Sequence, residues 1–550
     1  MIASKGPIED MGTRGKTYMP MKSGMPLKMI VSEGRRISFD PYSIENQAIR
    51  GFVHDEYYYN GYYKVANEKT APTKVKNHTG IVGYAGYYGG IKSEGVKENA
   101  SDWTSKCRAI PFVLKSYGTG KVLTIENNGR TMTVNDTEPV TMVYNLVPGN
   151  AKYYVTAKGS NTKLDQGKIE VTGQERMIYL PHVGNTRDIG GWPVVDGNNV
   201  CVGNVMYNRV IRGAALMPPY DGTDITEDCR ILADEVGVTM QIDIQNSLDG
   251  NIPRETVMDK SKVIFHNMHN ESSDPSYRSP GLASYSTFFD ADNDVEALKV
   301  YRWLAGHLSE NDTNCAYVNC YSGKDRTGVA MATLLALCGC EEDSIIKDWE
   351  LTNFWNWCAM AEYDKPTDRM AIDYTDSKGG RRKLSLWFKN LDTFAGNSYA
   401  EKAASYMKRI GLSDTEIDAL RKSLTKVELY LFAQDFDIHC NTDGYGEYRY
   451  ENDKALLSRR NLTVDKYGKV GLNVDSDMCC TGYVDVKGFS SVTVDNCKAG
   501  VVIAFYDNNH TFKKYASASK DGSNTFANNG YAYAVINYPY KLPTTISVKK

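Results

Sequence analysis

No run in the 550 residues reaches the roughly 18 consecutive apolar positions that mark a membrane helix, so the sequence presents no membrane span. Net charge is nearly absent as well. With 64 Lys and Arg against 67 Asp and Glu the formal charge is -3, a balance that advertises neither a nucleic-acid partner nor an anionic membrane surface. The opening MIASKGPIEDMGTRGK lacks the charged-then-apolar pattern of a secretory signal. Three readings stay open: a protein kept inside its cell, a numbering that omits a leader, or release by lysis as part of a particle. Regular cysteine spacing is missing too. The 12 cysteines include the adjacent Cys479 and Cys480, and Cys338 and Cys340 behind an apolar helical run, without a paired C-x-x-C zinc pattern. Mostly free thiols, and no metal or other cofactor, are expected. Phenylalanine is scarce beside tyrosine, 15 against 38, a bias that fits carbohydrate-facing or adhesive surfaces and equally fits exposed β structure. No internal repeat is evident.

At roughly 100–200 residues per domain, the length implies three or four domains. Residues 1–105 are rich in Gly, Tyr, Lys and Asn, with HDEYYYNGYYK and YAGYYGG as aromatic clusters and little helical periodicity; an attachment region is one reading. Over 106–174 short alternating segments such as KVLTIENNGRTMTVND and AKYYVTAKG, punctuated by Asn and Gly turns, predict a small β-sandwich. Between 175 and 426 strand-like runs (NRVIRG, VTMQIDI, KVIFHN, CAYVNC) alternate with helical ones (TEDCRILADEVG, DVEALKVYRWLAGHL, TGVAMATLLALCGC). That order predicts an α/β domain with a mainly parallel sheet and flanking helices, and a ligand-accepting C-terminal edge. A final helix starts at Ser413 with Glu416 three residues on, a capping-box pattern. The polar stretch 427–454 has the composition of a linker, and 455–550 returns to β alternation, predicting a second sandwich that acts as a binding module and tethers the rest. The expected architecture is therefore multidomain, with a central α/β domain between β-sandwich domains.

The chemistry concentrates in NCYSGKDRTG. Cys320 closes a strand and Arg326 opens a helix, with five residues between them. A loop of that length can curl so that the amides of Tyr321, Ser322, Gly323, Lys324, Asp325 and Arg326 converge on one tetrahedral anion at the positive end of the helix dipole. Gly323 permits the turn, and the Arg326 guanidinium clamps two oxygens in a way lysine does not reproduce. The same donors favour a thiolate, making Cys320 the expected nucleophile. Alone, a cysteine and arginine at this spacing arise by chance often, and the bland reading is a buried strand-end thiol before a solvated helix start. Strand, glycine, Thr-Gly and apolar helix in the right order favour the phosphate loop. The absence of Gly-Lys-Ser/Thr argues against an ATPase or GTPase loop.

CYSGKDRTG resembles the signature of cysteine-dependent protein tyrosine phosphatases, and its Gly-Lys-Asp-Arg-Thr-Gly core is similar to that of the bacterial group acting on phosphotyrosine, other phosphoamino acids and phosphoinositides. GNTRDIGGWPVVDGNNV resembles the block that opens that catalytic domain, and YNRVIRGAAL its next strand; SIIKDWELTN and IGLSDTEIDAL are similar to its C-terminal helices. The resemblance covers about 175–426. It implies phosphomonoester hydrolysis through a phosphocysteine intermediate, with phosphorylated protein, phospholipid or a small phosphate ester as substrate. In two places the chain departs from the pattern: Asn319 stands where His usually precedes the nucleophile, and Gln245 where Arg is commoner.

Carried over residue by residue, the resemblance makes Asp325 the general acid, with capping of the next helix as the rival role, and Asp290 and Asp292 of FFDADND the alternative acids. Lys324 either adds charge toward the substrate or is merely solvated. Thr327 is expected to hydrogen-bond the departing thiolate, and Arg187 and Asp188 to brace the loop from behind. The tempting WPVVD at Trp192 is a decoy, far upstream in the opening block, and His266 and His269 are expected to be ordinary histidines. YNLVPGNAKYYVTAKG loosely resembles late strands of fibronectin type III modules, and residues near 481–512 resemble small sandwiches on bacterial surface and phage tail proteins. The rival to an enzyme is thus a structural or adhesive surface or virion protein whose phosphatase-like domain is only a scaffold. A glycan, cell-envelope or virion partner is expected through the β modules, and a secreted, surface or virion setting is favoured over a cytoplasmic one.

Overall fold

The computed structural model describes residues 110–549 with breaks, chiefly at 114–118, 217–223, 246–255, 269–280, 351–372, 376–380, 432–435 and 439–446, and only two short strands before residue 110. The expected attachment region 1–105 lies almost wholly outside the described residues, as does His269.

At the centre is a six-stranded sheet in the order Ile264–Asn267, Met240–Asp243, Ala316–Asn319, Val210–Gly213, Arg187–Asp188, Arg176–Met177. The first four strands run parallel, and at the edge Arg187–Asp188 and then Arg176–Met177 are each added antiparallel to the strand before. Ala316, Tyr317 and Val318 are wholly buried because both faces of this central strand are covered, which is why it reads as an unbroken apolar run and not as an alternation. The following helix, Arg326–Cys338, is buried on every side from Thr327 onward, packed against the helices Tyr399–Arg409 and Asp414–Leu424. It stops at Gly339, whose φ of 95° gives the left-handed cap. The capping box at Ser413 forms, with the Ser413 hydroxyl and the Glu416 carboxylate each taking a backbone amide of the other. The expected helix at 226–236 divides into an α-helical turn, Thr226–Arg230, and a π-helical stretch, Ile231–Val236.

The segments on either side are sheets attached in unlike ways. Upstream, Lys121–Asn127 and Arg130–Val134 form a hairpin around Asn128 and Gly129, both at positive φ, as the twist of a two-residue turn demands. From its tip Arg130 reaches the carbonyls of Gly237 and Thr313, at 3.2 and 2.9 Å. Downstream, the strands between 478 and 549 form two sheets around an apolar core that includes Val484, Val492, Ile503, Phe505, Ile536 and Ile546. A second set, Val464, Val470, Cys480, Tyr483, Tyr506 and Val535, belongs to the same buried apolar cluster as Trp192, Val194 and Val200 of the central domain. Among the described residues no helix is long and apolar enough to cross a membrane, and the described cysteines, including Cys201, Cys315, Cys338 and Cys480, form no disulfide and are buried.

Candidate active site

Cys320 is 1% exposed at the C-terminal end of the central strand, and the loop it opens is held by its carbonyls. The Tyr321 carbonyl accepts from the Ala215 amide at 3.0 Å. That of Ser322 accepts from Asn185 Nδ2 at 2.8 Å, and that of Gly323 from Arg212 Nη2 at 2.7 Å. In a trans peptide the N–H points opposite to the C=O. Three consecutive carbonyls fastened to the framework therefore turn the amides of Ser322, Gly323 and Lys324 the other way, into the bowl of the loop. Those of Ser322 and Gly323 donate to no acceptor among the described residues. Gly323 sits at φ 65° against Gly213, where a Cβ would overlap the Gly213 carbonyl, so no other residue fits this turn.

Charge behind the loop favours an anion in front of it. Arg212 Nη1 donates to Asp348 Oδ2 at 2.7 Å, and Arg187 Nη2 donates to the Asp348 carbonyl at 2.6 Å while its Nη1 meets Asn185 Oδ1 at 2.5 Å. Both arginines and the aspartate are buried. Among these groups two guanidiniums face one carboxylate, an excess of one positive charge in a medium that screens it poorly. Arg187 thus stands in the brace behind the loop. Asp188 lies elsewhere in that framework, its carboxylate accepting from the amides of Gly190 and Asn208 at 2.9 and 2.6 Å.

The remaining candidates divide by position. Thr327 is fully buried in the first turn of the helix, and its hydroxyl has no hydrogen-bond partner among the described residues. Asp325 occupies the N-cap position without capping: its side chain takes no amide of the helix. Its Oδ1 accepts from the Tyr285 hydroxyl at 2.5 Å, and Oδ2 lies 3.9 Å from Lys324 Nζ. Lys324 is buried, 6% exposed, not a solvated lysine. Arg326 and Tyr321 are half-buried at the rim. Asp290 and Asp292 are exposed, on the turn that leads into the helix Asp294–Glu310; the same segment meets the loop through Tyr285 instead. His266 stacks on Trp303, ring centroids 4.4 Å apart, and no metal-holding cluster of His, Cys, Asp and Glu occurs among the described residues.

Asn319, next before Cys320 in the chain, is buried, its Oδ1 accepting from Gln241 Nε2 at 3.0 Å. Beside it, in register on the neighbouring strand, is Asp243, a group passed over in the sequence. Gln245 holds Asp243 by its amide and its Nε2, at 3.0 and 2.9 Å. Burial pushes the Asp243 carboxyl up to about 6, against the pull of those bonds, of Asn319 and of the Arg326 charge. Asn185, Arg212, Tyr285 and Asp348 were likewise not singled out. Arg212 and Asp348 lie inside quoted blocks, YNRVIRGAAL and SIIKDWELTN, whose positions were the available signal.

Residues 178–426 match the model of the tyrosine phosphatase family. This part of the chain is a phosphatase-family domain, and the whole is a multidomain protein that carries it. No curated protein matches. Two solved structures of the capsular polysaccharide assembling protein CapF from Staphylococcus aureus align at 10% and 9% identity over 56% of this chain and 95% of theirs. Their TM-scores of 0.11 and 0.10 are too low to carry an argument.

Proposed function

We propose that residues 178–426 hydrolyse phosphomonoesters through a phosphocysteine intermediate, with phosphotyrosine, other phosphoamino acids or phosphoinositides as the substrate class. The observation that carries this reading is the trio of fastened carbonyls at 321–323, which aims a row of amides at the mouth of the loop that begins with Cys320. In the proposed reaction the Cys320 thiolate attacks phosphorus while the amides and the Arg326 guanidinium hold the phosphoryl oxygens. The bond from phosphorus to the ester oxygen breaks, and Asp325 protonates that oxygen. Water then attacks the phosphocysteine and gives its proton back to Asp325, and the departing thiolate takes a hydrogen bond from the Thr327 hydroxyl. Lys324 adds positive charge beside the acid. The flanking sheets serve as β-sandwich modules, the upstream one of fibronectin type III-like kind.

Release of phosphate from p-nitrophenyl phosphate by the full chain, with and without Cys320→Ser, tests the reading, and label trapped on Cys320 that survives alkali but is released by mild acid or iodine would identify the intermediate. A folded protein that releases no phosphate would favour the scaffold reading instead.

A further inference from the structure

Tyr285 has a backbone that an aromatic residue rarely adopts, φ 52°, and yet it is buried, 3% exposed. Such a conformation persists only where its surroundings over-determine it. Here they do. The Phe288 amide donates to the Tyr285 carbonyl, Asn293 ties the segment together through the Ala283 amide and the Phe288 carbonyl, and the Tyr285 ring stands edge-on to Trp349 with centroids 6.3 Å apart. Phe288 and Phe289, next along the chain, lock into an aromatic cluster with Tyr406, Trp387 and Phe394. This scaffolding sets the Tyr285 hydroxyl on Asp325 Oδ1 at 2.5 Å.

Resting on the phosphatase reading above, we propose that Tyr285 is a positioning residue for Asp325, fixing which of its carboxyl oxygens carries the catalytic proton. A tyrosine hydroxyl that donates to Oδ1 makes that oxygen the acceptor of the acid form and confines the acid's own proton to Oδ2. The Oδ2 proton passes to the ester oxygen as the P–O bond breaks, and Tyr285 keeps its own proton throughout. The hydroxyl also replaces the helix amides that an N-cap aspartate ordinarily accepts from, so the carboxyl leans off the helix instead of folding onto it. Asp290 and Asp292 share the segment with Tyr285, and this arrangement gives that segment a part in acid catalysis without either carboxylate reaching the loop.

The test is Tyr285→Phe in the full chain, which removes one oxygen and keeps the ring against Trp349. For β-glycerophosphate, whose alkoxide leaves poorly without a proton, kcat should fall about tenfold or more with KM unchanged. For p-nitrophenyl phosphate the loss should stay below about threefold. In an Asp325→Asn background the same substitution should cost nothing further, because the residue it acts through is gone. Equal losses on both esters, a full additional loss in the Asp325→Asn background, or no loss on the alkyl ester would each overturn the role. If Cys320→Ser abolishes turnover while Tyr285→Phe matches the parent, the Tyr285 proposal alone fails; turnover that survives Cys320→Ser defeats the phosphatase reading itself.

Discussion

Two turns in this molecule carry an aspartate between apolar flanks, and they have opposite fates. In the turn after Trp192, Asp196 accepts from the amides of Asn198 and Val200 at 2.9 and 3.0 Å and from the Tyr483 hydroxyl at 2.8 Å. Its carboxylate is committed to closing its own turn and to the downstream sheets, where Val470 and the His510 carbonyl also meet Asn198. In the turn after Cys320 it is the carbonyls of 321–323 that are committed, while the amides of Ser322 and Gly323 meet no acceptor among the described residues. Asp325 there takes no helix amide and is held by Tyr285. The lesson is that which side of the peptide is fastened decides whether a turn is a joint or an anion cradle.

If the contrast is right, Cys320→Ser should lower turnover of an aryl phosphate by roughly four orders of magnitude or more without unfolding the protein, since a hydroxyl cannot replace the thiolate. Steady-state assay beside circular dichroism checks both halves. Next in size, Asp325→Asn should slow an alkyl phosphate by about two orders of magnitude and leave an activated aryl phosphate much less affected. Should Asp290→Asn or Asp292→Asn show that selectivity instead, the acid lies upstream.

A smaller effect concerns Asp243, in register with Asn319 at the base of the Cys320 turn. Its ordinary value is 3.8, and burial raises it to about 6, so between these values the folded protein holds a proton that the unfolded chain has released. The stability this group contributes is full below about pH 4 and is lost as pH rises through about 6, by about 2–3 kcal/mol. Urea titrations at pH 4.5 and 7.5 should show that slope weakened in Asp243→Asn.

The smallest change is expected at the other turn. Asp196→Asn should weaken its bonds to two amides and to Tyr483, costing about 1–2 kcal/mol of stability while leaving kcat per folded molecule unchanged. A lowered kcat at full folding would mean that the joint with the downstream sheets bears on the chemistry after all. One route for such an effect is visible: the Val195 amide donates to the carbonyl of Gly339, the cap of the helix that Arg326 begins.

Much of the turn after Cys320 could be read from the chain in advance because its requirements are local. A strand ending at Cys320, a glycine where φ must be positive and an arginine at the helix start lie within seven consecutive residues, and so does Asp325. The Asn128–Gly129 hairpin and the Ser413 capping box were legible for the same reason, since each depends on a few adjacent side chains. The supports of the turn were not, because they come from far away: Asn185 and Arg212 lie more than 100 residues before the carbonyls they hold. The composition of 427–454 suggests a loose tether, whereas downstream residues from Val464 to Val535 share a core with the central domain. Apolar periodicity states that a face will be buried and does not state against what.

Adjacent residues alone specified the order of strands and helices, the curl of the 320–326 loop and the cysteine and arginine that bound it. They could do so because backbone torsion and peptide spacing act over a few residues. The choice of Tyr285 as the partner of Asp325, the burial of Lys324, the raised carboxyl of Asp243 and the diversion of Asp196 into an interface were settled by folding. Each depends on where segments tens to hundreds of residues apart come to rest, and on the low-dielectric interior that exists only once they have.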